Sequence, residues 1–438
     1  MFNNILKFAQ NKLAYFYNNS ILLQNIDNFI LPFILLTFIS SMFMSSDFIG
    51  FIGLIVMFLT LIKLFFTPNQ KIELQTFEMF LVIYFMIVVV SLFGSTLFSL
   101  SLKGFFKTFI YIGFYFSVVQ YLKDNKKHIP VILGTIAFCI SVEGLIGVFQ
   151  STLHLEQIST WQDTSNLNPE DVLSRVYGTL KPLNPNLYGG YLVCGLPVVI
   201  GCIFYSLYKR LYKMSFISLI AFLVTCYAIL QTGCRGAYLS MILVLGLTFL
   251  ISAKFLWGKY KKIYISIASS AFLMFLFAIT FINSLRLRFL SIFAMRGDSS
   301  NSFRFNVYHS SLEMFKDNWL LGIGVGNKNF REIYGLYMKT GFDALSAYNI
   351  YLETAVESGI FALIAFIGFL LKLFYDAIKY ILNSTNYLNV IIIASCLIAI
   401  SSALFHGLVD TIYFRPQLQF IFWTFVAIIR CSLVENSH

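Results

Sequence analysis

Charge is what this sequence has least of. Only 12% of its 438 residues are charged, against about 25% in an ordinary soluble domain, which excludes a surface built mainly for water. Metal-ligand spacing is missing too. The seven cysteines (Cys139, Cys194, Cys202, Cys226, Cys234, Cys396 and Cys431) fall mostly inside apolar runs and read as small buried hydrophobes. No metal and no other cofactor is expected, and no nucleic-acid partner. A cleavable signal peptide is not expected either, because the apolar segment near residue 30 has full spanning length and no cleavage site follows it.

Long apolar runs take the place of charge. Hydrophobic residues reach 58% of the chain, and they cluster into runs of the length that crosses a bilayer core. Such runs occur at 29–45, 48–66, 77–99, 104–122, 129–150, 186–208, 214–232, 236–253, 263–284, 356–376, 388–408 and 416–433. The expectation is an all-α integral membrane protein of about twelve transmembrane helices in a single bundle over 29–433. Ahead of it, residues 1–28 hold Phe2, Ile5, Leu6, Ala9, Leu13 and Phe16 at helical spacing, as an interfacial helix on the inner leaflet would. Membrane lipids are therefore the first partners expected.

Short loops rich in Lys or Arg stay cytoplasmic. With both termini inside, the cytoplasmic segments receive Lys63 and Lys71, then Lys123, Lys126 and Lys127, then Lys209, Arg210 and Lys213, then Lys254, Lys259, Lys261 and Lys262, then Lys372 and Lys379. The two cations divide further. Fifteen of 21 lysines fall inside, whereas eight of ten arginines (Arg175, Arg235, Arg286, Arg288, Arg296, Arg304, Arg331 and Arg415) fall at or beyond the outer ends of spans. Arginine presents a planar fork that grips phosphate or carboxylate bidentately. For Arg286, Arg288, Arg296 and Arg331, pairing with headgroups or with acids such as Asp298 and Asp317 is the expected role.

Two long polar segments, 151–185 and 285–355, interrupt the pattern on the outer side; loops of such length are usually functional or disordered. The first runs from Arg175 to Asn184-Pro185-Asn186, a turn and helix-start signal in which Asn184 favours the turn and Asn186 can cap. A helix N-terminus beside a cation is an anion site. Arg235 lies in a hairpin of about four residues between two spans, flanked by Gly233 and Gly236, where a charge at the membrane edge is costly and by default functional. The second long segment carries Arg304 on a helix expected over 302–317, then Gly322-Ile-Gly-Val-Gly326. Without a surrounding strand that stretch is no dinucleotide fingerprint, and it is assigned no chemistry. Next come Tyr348, Asn349 and the i,i+4 carboxylates Glu353 and Glu357, able to pair with arginine or act as a base. Last come His406 and Asp410, one helical turn apart and expected to hydrogen-bond each other.

These blocks, in this order, resemble the O-antigen ligase and polymerase superfamily of bacterial polysaccharide-assembly membrane proteins. The likeness rests on Arg175-x-x-Gly with Asn184-Pro185-Asn186, Gly233-x-Arg235-Gly-Ala, Arg304 followed by Trp319-x-x-Gly-Ile-Gly324, and Asn349-x-Tyr-Leu-Glu353 with Glu357-Ser-Gly359, and extends over roughly 130–430. Residues 344–359 and 406–416 look closer to a cyanobacterial branch labelled as bicarbonate transporters. For the ligases the resemblance implies a polytopic glycosyltransferase-like fold of GT-C type and metal-independent glycosyl transfer at the periplasmic face of the bacterial inner membrane. A glycan moves from undecaprenyl diphosphate to an acceptor sugar or lipid, with arginines holding the diphosphate. Arg175, Arg235 and Arg304 are the positions that fit. Tyr348, Glu353, Glu357, His406 and Asp410 are the candidates for catalysis or acceptor positioning, and Asn184 and Asn186 shape the site. One departure stands out: the ligase pattern has a histidine thought to act on the acceptor hydroxyl where this chain has Tyr348. With a pKa near 10, tyrosine is a poor base at neutral pH. An anion transporter and a non-catalytic envelope-assembly protein stay open beside the ligase.

Overall fold

The computed structural model describes residues 2–153, 175–281, 283–290 and 299–434. Among these residues every regular element is helical. Ten helices are long and apolar enough to cross a membrane, so the chain is a polytopic all-α membrane protein. In order they are α4 (Ser46–Phe66), α5 (Thr76–Gly94), α6 (Phe98–Asp124), α7 (Ile129–Thr152, extended at its start by a 3₁₀ turn), α8 (Pro185–Tyr208), α9 (Tyr212–Gln231), the first part of α10 (Arg235–Phe281), α14 (Ile350–Asn383), α15 (Tyr387–His406) and α16 (Pro416–Leu433). Shorter helices fill in: α1 (Phe2–Asn19), α2 (Ile21–Gln24), α3 (Asp27–Ser41), α11 (Asn283–Leu290), α12 (Ser299–Asp317) and α13 (Asn327–Tyr334).

The sequence reading of about twelve spans exceeds this set by two. One is α3, whose 15 residues rise about 22 Å, short of a hydrocarbon core of about 30 Å. It nevertheless pairs with α4 as a hairpin. The other, 263–284, falls in the far part of α10. There Tyr260 leaves helical geometry (φ −121°, ψ 23°), and the rings of Phe249 and Tyr264 lie 5.2 Å apart. A straight helix would separate those residues by about 22 Å, so the chain folds back at Tyr260.

α8 and α16 form the centre and are almost wholly enclosed. α16 packs on α6 and α15, α8 packs on α9 and α15, and α14 runs along α5. One end of the bundle gathers the lysine-rich turns. There Lys63, 2% exposed, reaches Asp27 and Asp124 at 2.8 Å each, and Arg430 faces Glu78 at 3.6 Å while the Tyr115 hydroxyl donates to Glu78 at 2.6 Å. α1 docks at the same end, its Gln10 amide donating to the Leu64 carbonyl at 2.9 Å.

At the opposite end α14 is broken. Gly359 sits at φ +80°, and a Cβ there would stand 2.2 Å from the Leu320 carbonyl oxygen. A helix break frees backbone groups that must find partners. The 319–326 segment supplies them: Ile323 and Gly324 donate to the carbonyls of Val356 and Glu357 at 2.9 Å each, and the Ile360 amide donates to Trp319 at 2.9 Å. The glycine run assigned no chemistry from sequence is thus the clamp on a broken helix.

Candidate functional site

Asn184 begins the site by capping α8: its side-chain oxygen accepts from the amides of Asn186 at 2.7 Å and Leu187 at 3.4 Å, with Pro185 in the first turn. The cap is therefore Asn184 alone. Asn186, expected as a possible cap, points its amide elsewhere. Its oxygen accepts from Arg175 Nη2 at 2.7 Å, and its nitrogen donates to Asp410 Oδ2 at 3.3 Å. That same Asp410 oxygen lies 4.0 Å from Arg304 Nη2. Arg304 also donates from Nε to the Val409 carbonyl at 2.9 Å and from Nη1 to Ser300 at 2.7 Å. One carboxylate thus links Arg304 directly, and Arg175 through Asn186.

Arg235 joins by way of the backbone. Arg175 Nε donates to the Thr232 carbonyl at 2.8 Å, and the Val176 amide donates to Gln231 at 3.2 Å. The strand of chain leading out of Arg175 is therefore fastened to the short turn that ends in Arg235, the first residue of α10. Arg331 and Arg286 stand apart, both exposed: Arg331 pairs with an acid as expected, though this is Asp343 at 2.5 Å and not Asp298 or Asp317, whereas Arg286 donates to Asn283 at 2.6 Å. Arg296 and Asp298 lie outside the described residues, as do 154–174 and 291–298 of the two long loops.

Tyr348 is half-buried beneath Arg304, whose guanidinium carbon is 5.9 Å from the ring centroid, a cation–π contact. Its backbone is held at φ +50°, a conformation uncommon outside glycine, and its carbonyl accepts from the Tyr308 hydroxyl at 3.2 Å. Burial, and next the negative charge of Asp410, push the Tyr348 hydroxyl up to about 12; Arg304 pulls the other way. This tyrosine is a hydrogen-bond donor and not a base.

His406 corrects one expectation. It does not bond Asp410, because α15 ends at His406 and the following turn abolishes the i,i+4 register. The ring is buried, with Nε2 3.5 Å from Cys234 Sγ and Nδ1 without a hydrogen-bond partner. Gly236 permits this: a Cβ there would meet the ring at 2.7 Å. Burial raises the Cys234 thiol, but the His406 hydrogen bond and charge, then Arg175, bring it below its ordinary value.

Glu353 and Glu357 lie apart from the arginines. Neither makes an ion pair with arginine among the described residues; each accepts a backbone amide, Glu353 Oε2 from Ala347 at 3.1 Å and Glu357 Oε1 from Gly326 at 2.8 Å. Both line a cavity between α5, α6, α14 and α16, and the three arginines do not. Sequence reasoning did not single out the other cavity residues Tyr84, Lys107, Tyr111 and Gln419. They come from three separate helices and carry no shared motif. Asn349 was noted only within its block, yet it caps α14 and ties it to the Leu408 carbonyl at 3.1 Å.

Comparison with known families matches residues 219–367 to the model described as O-antigen ligase. Over that segment the chain is similar to the O-antigen ligases, which supports the resemblance drawn from its motifs. The match runs from α9 to the middle of α14 and contains Arg235, Arg304, Tyr348, Glu353 and Glu357. Arg175, Asn186, His406 and Asp410 fall outside it, so their place in the site rests on geometry alone. No curated protein matches the chain, and the likeness to a bicarbonate-transporter branch finds no support. The likeness to the O-antigen ligases supports a role in glycan assembly for this multi-pass membrane protein.

Proposed function

We propose that the protein transfers a glycan from a polyprenyl diphosphate, undecaprenyl diphosphate being the expected carrier, to an acceptor hydroxyl at the periplasmic end of an inner-membrane bundle. The observation that carries this reading is the convergence of Arg175 and Arg304 on Asp410, beside the turn bearing Arg235. Two guanidiniums are tied to one carboxylate, Arg304 directly and Arg175 through Asn186. A diphosphate is an anion whose oxygens match a guanidinium fork.

In the transfer the acceptor oxygen bonds the anomeric carbon and its proton passes to a base. The bond from that carbon to the diphosphate oxygen breaks, and the electron pair leaves with the polyprenyl diphosphate. Fixed positive groups aimed at the leaving oxygen stabilise the charge that develops there. Tyr348 supplies a donor, since its hydroxyl keeps its proton at neutral pH. His406, Glu353 and Glu357 are the available bases.

The test is direct. Purified protein in nanodiscs, given a glycan on undecaprenyl diphosphate and an acceptor glycan, releases the lipid diphosphate and forms the joined product. Arg235→Ala and Arg175→Ala abolish release, and Arg175→Lys does not restore it, because an ammonium cannot bridge Thr232 and Asn186 at once. Full activity in Arg175→Ala would end the diphosphate reading.

A further inference from the structure

The cavity beside Glu353 and Glu357 is unused by the arginine cluster. We propose that it is the subsite for an uncharged sugar ring of the acceptor, held through its hydroxyls by the two carboxylates; this rests on the glycosyl-transfer reading above.

Both side chains are more than nine-tenths buried, Glu353 1% and Glu357 6% exposed. Each has one oxygen committed to a backbone amide. For Glu353 Oε1 and Glu357 Oε2 no hydrogen-bond partner exists among the described residues, and both residues line the open space. A buried carboxylate with an unused oxygen costs free energy unless a donor reaches it, so the cavity asks for a ligand rich in hydroxyl donors. Gln419, whose oxygen accepts from Trp423, Asn327, whose nitrogen donates to the Leu345 carbonyl, and Lys107 stand in the same wall. Aromatic faces complete the wall, among them Trp423 and Tyr413. Polar groups converging among aromatic walls suit a ring with hydroxyls at its edge and C–H bonds on its face.

One turn of chain joins the cavity to the arginine cluster: Glu353 accepts the Ala347 amide at 3.1 Å, and the next residue, Tyr348, has its ring 5.9 Å from the Arg304 guanidinium carbon. A sugar in the cavity would present its free edge toward a donor held by Arg304.

The experiment is ligand-observed saturation-transfer NMR on the full chain in nanodiscs, with a panel of methyl hexosides and methyl N-acetylhexosaminides as probes and no donor lipid present. Wild type gives transfer to at least one sugar. Glu357→Gln weakens that binding by about tenfold or more, the loss of a charged hydrogen bond, and Thr108→Phe, which fills the cavity from α6 without touching the acids, abolishes it. Should Glu357→Gln fail to fold, Glu353→Gln takes its place. The proposal is overturned by absence of transfer to every sugar in wild type, or by transfer that survives in either variant. Sugar binding with no lipid-diphosphate release in the assay above would sink the glycosyl-transfer reading and leave the cavity assignment standing.

Discussion

Asn186 and Asp410, 224 residues apart in sequence, hydrogen-bond at 3.3 Å, and through that contact the start of α8 meets the turn after α15. The pair makes the arginine cluster one object. Asn186 holds Arg175 with its oxygen and Asp410 with its nitrogen, so an amide that both donates and accepts is needed at this position.

Asp410→Asn therefore loosens Arg304 while keeping shape. Charged hydrogen bonds contribute about 1.5–3 kcal/mol, so kcat/KM for glycan transfer should fall about ten- to a hundredfold, and Asn186→Asp should lower it further by setting two carboxylates against each other. Steady-state kinetics with donor and acceptor varied separately checks this; an unchanged kcat/KM in both variants would remove the cluster from the mechanism.

Tyr348 predicts an alkaline signature. Its folded pKa, about 12, stands above the ordinary value of 10, so the folded state holds this proton more tightly than the unfolded chain does. The stabilisation is full below about pH 10 and is lost as pH rises toward 12. Tyr348→Phe should flatten that part of the stability–pH curve and leave the activity profile between pH 6 and 9 without a lost ionisation. An activity pKa in that range that vanishes in Tyr348→Phe would mean that tyrosine is the base after all.

Gly359→Ala should destabilise the bundle by at least about 1–2 kcal/mol, the cost of a left-handed backbone for a residue with a Cβ, and the clash with the Leu320 carbonyl adds to it. Thermal unfolding in detergent gives the measure. A melting temperature equal to wild type would show that the break at Gly359 is not fixed.

Lys63→Met at the far end removes a buried cation and leaves the partly exposed carboxylates of Asp27 and Asp124 without it. Because both acids reach solvent, the cost should be about 1–3 kcal/mol, below the ~3–5 kcal/mol of a fully buried pair. Lys63→Met with Asp27→Asn should recover part of the loss, while sugar binding in the cavity beside Glu353 and Glu357 remains intact. Equal stability of the single variant and wild type would count against the triad's role in holding α3, α4 and α6 together.

How much of this was legible beforehand varies from residue to residue. Helix positions were, because an apolar run of bilayer length has few other stable conformations. The helix start at Asn184-Pro185 and the helix carrying Arg304 were as well, since capping and periodicity are local. The folding back at Tyr260 was implied only by span counting. Asn186 was misassigned as a cap because its real partner comes from the other end of the chain. His406 and Asp410 were paired wrongly because the helix stops between them.

The sequence by itself determined an all-α membrane protein, the gathering of its arginines away from its lysines, and the family of its 219–367 segment. Those properties depend on hydrophobic length, charge sorting and short motifs, all of them written locally. Only the tertiary structure decided that Asp410 joins Arg175 to Arg304 through Asn186, and that Glu353 and Glu357 face a cavity of their own. Such partners are chosen by helix packing across hundreds of residues, where a contact depends on which faces meet and not on spacing along the chain.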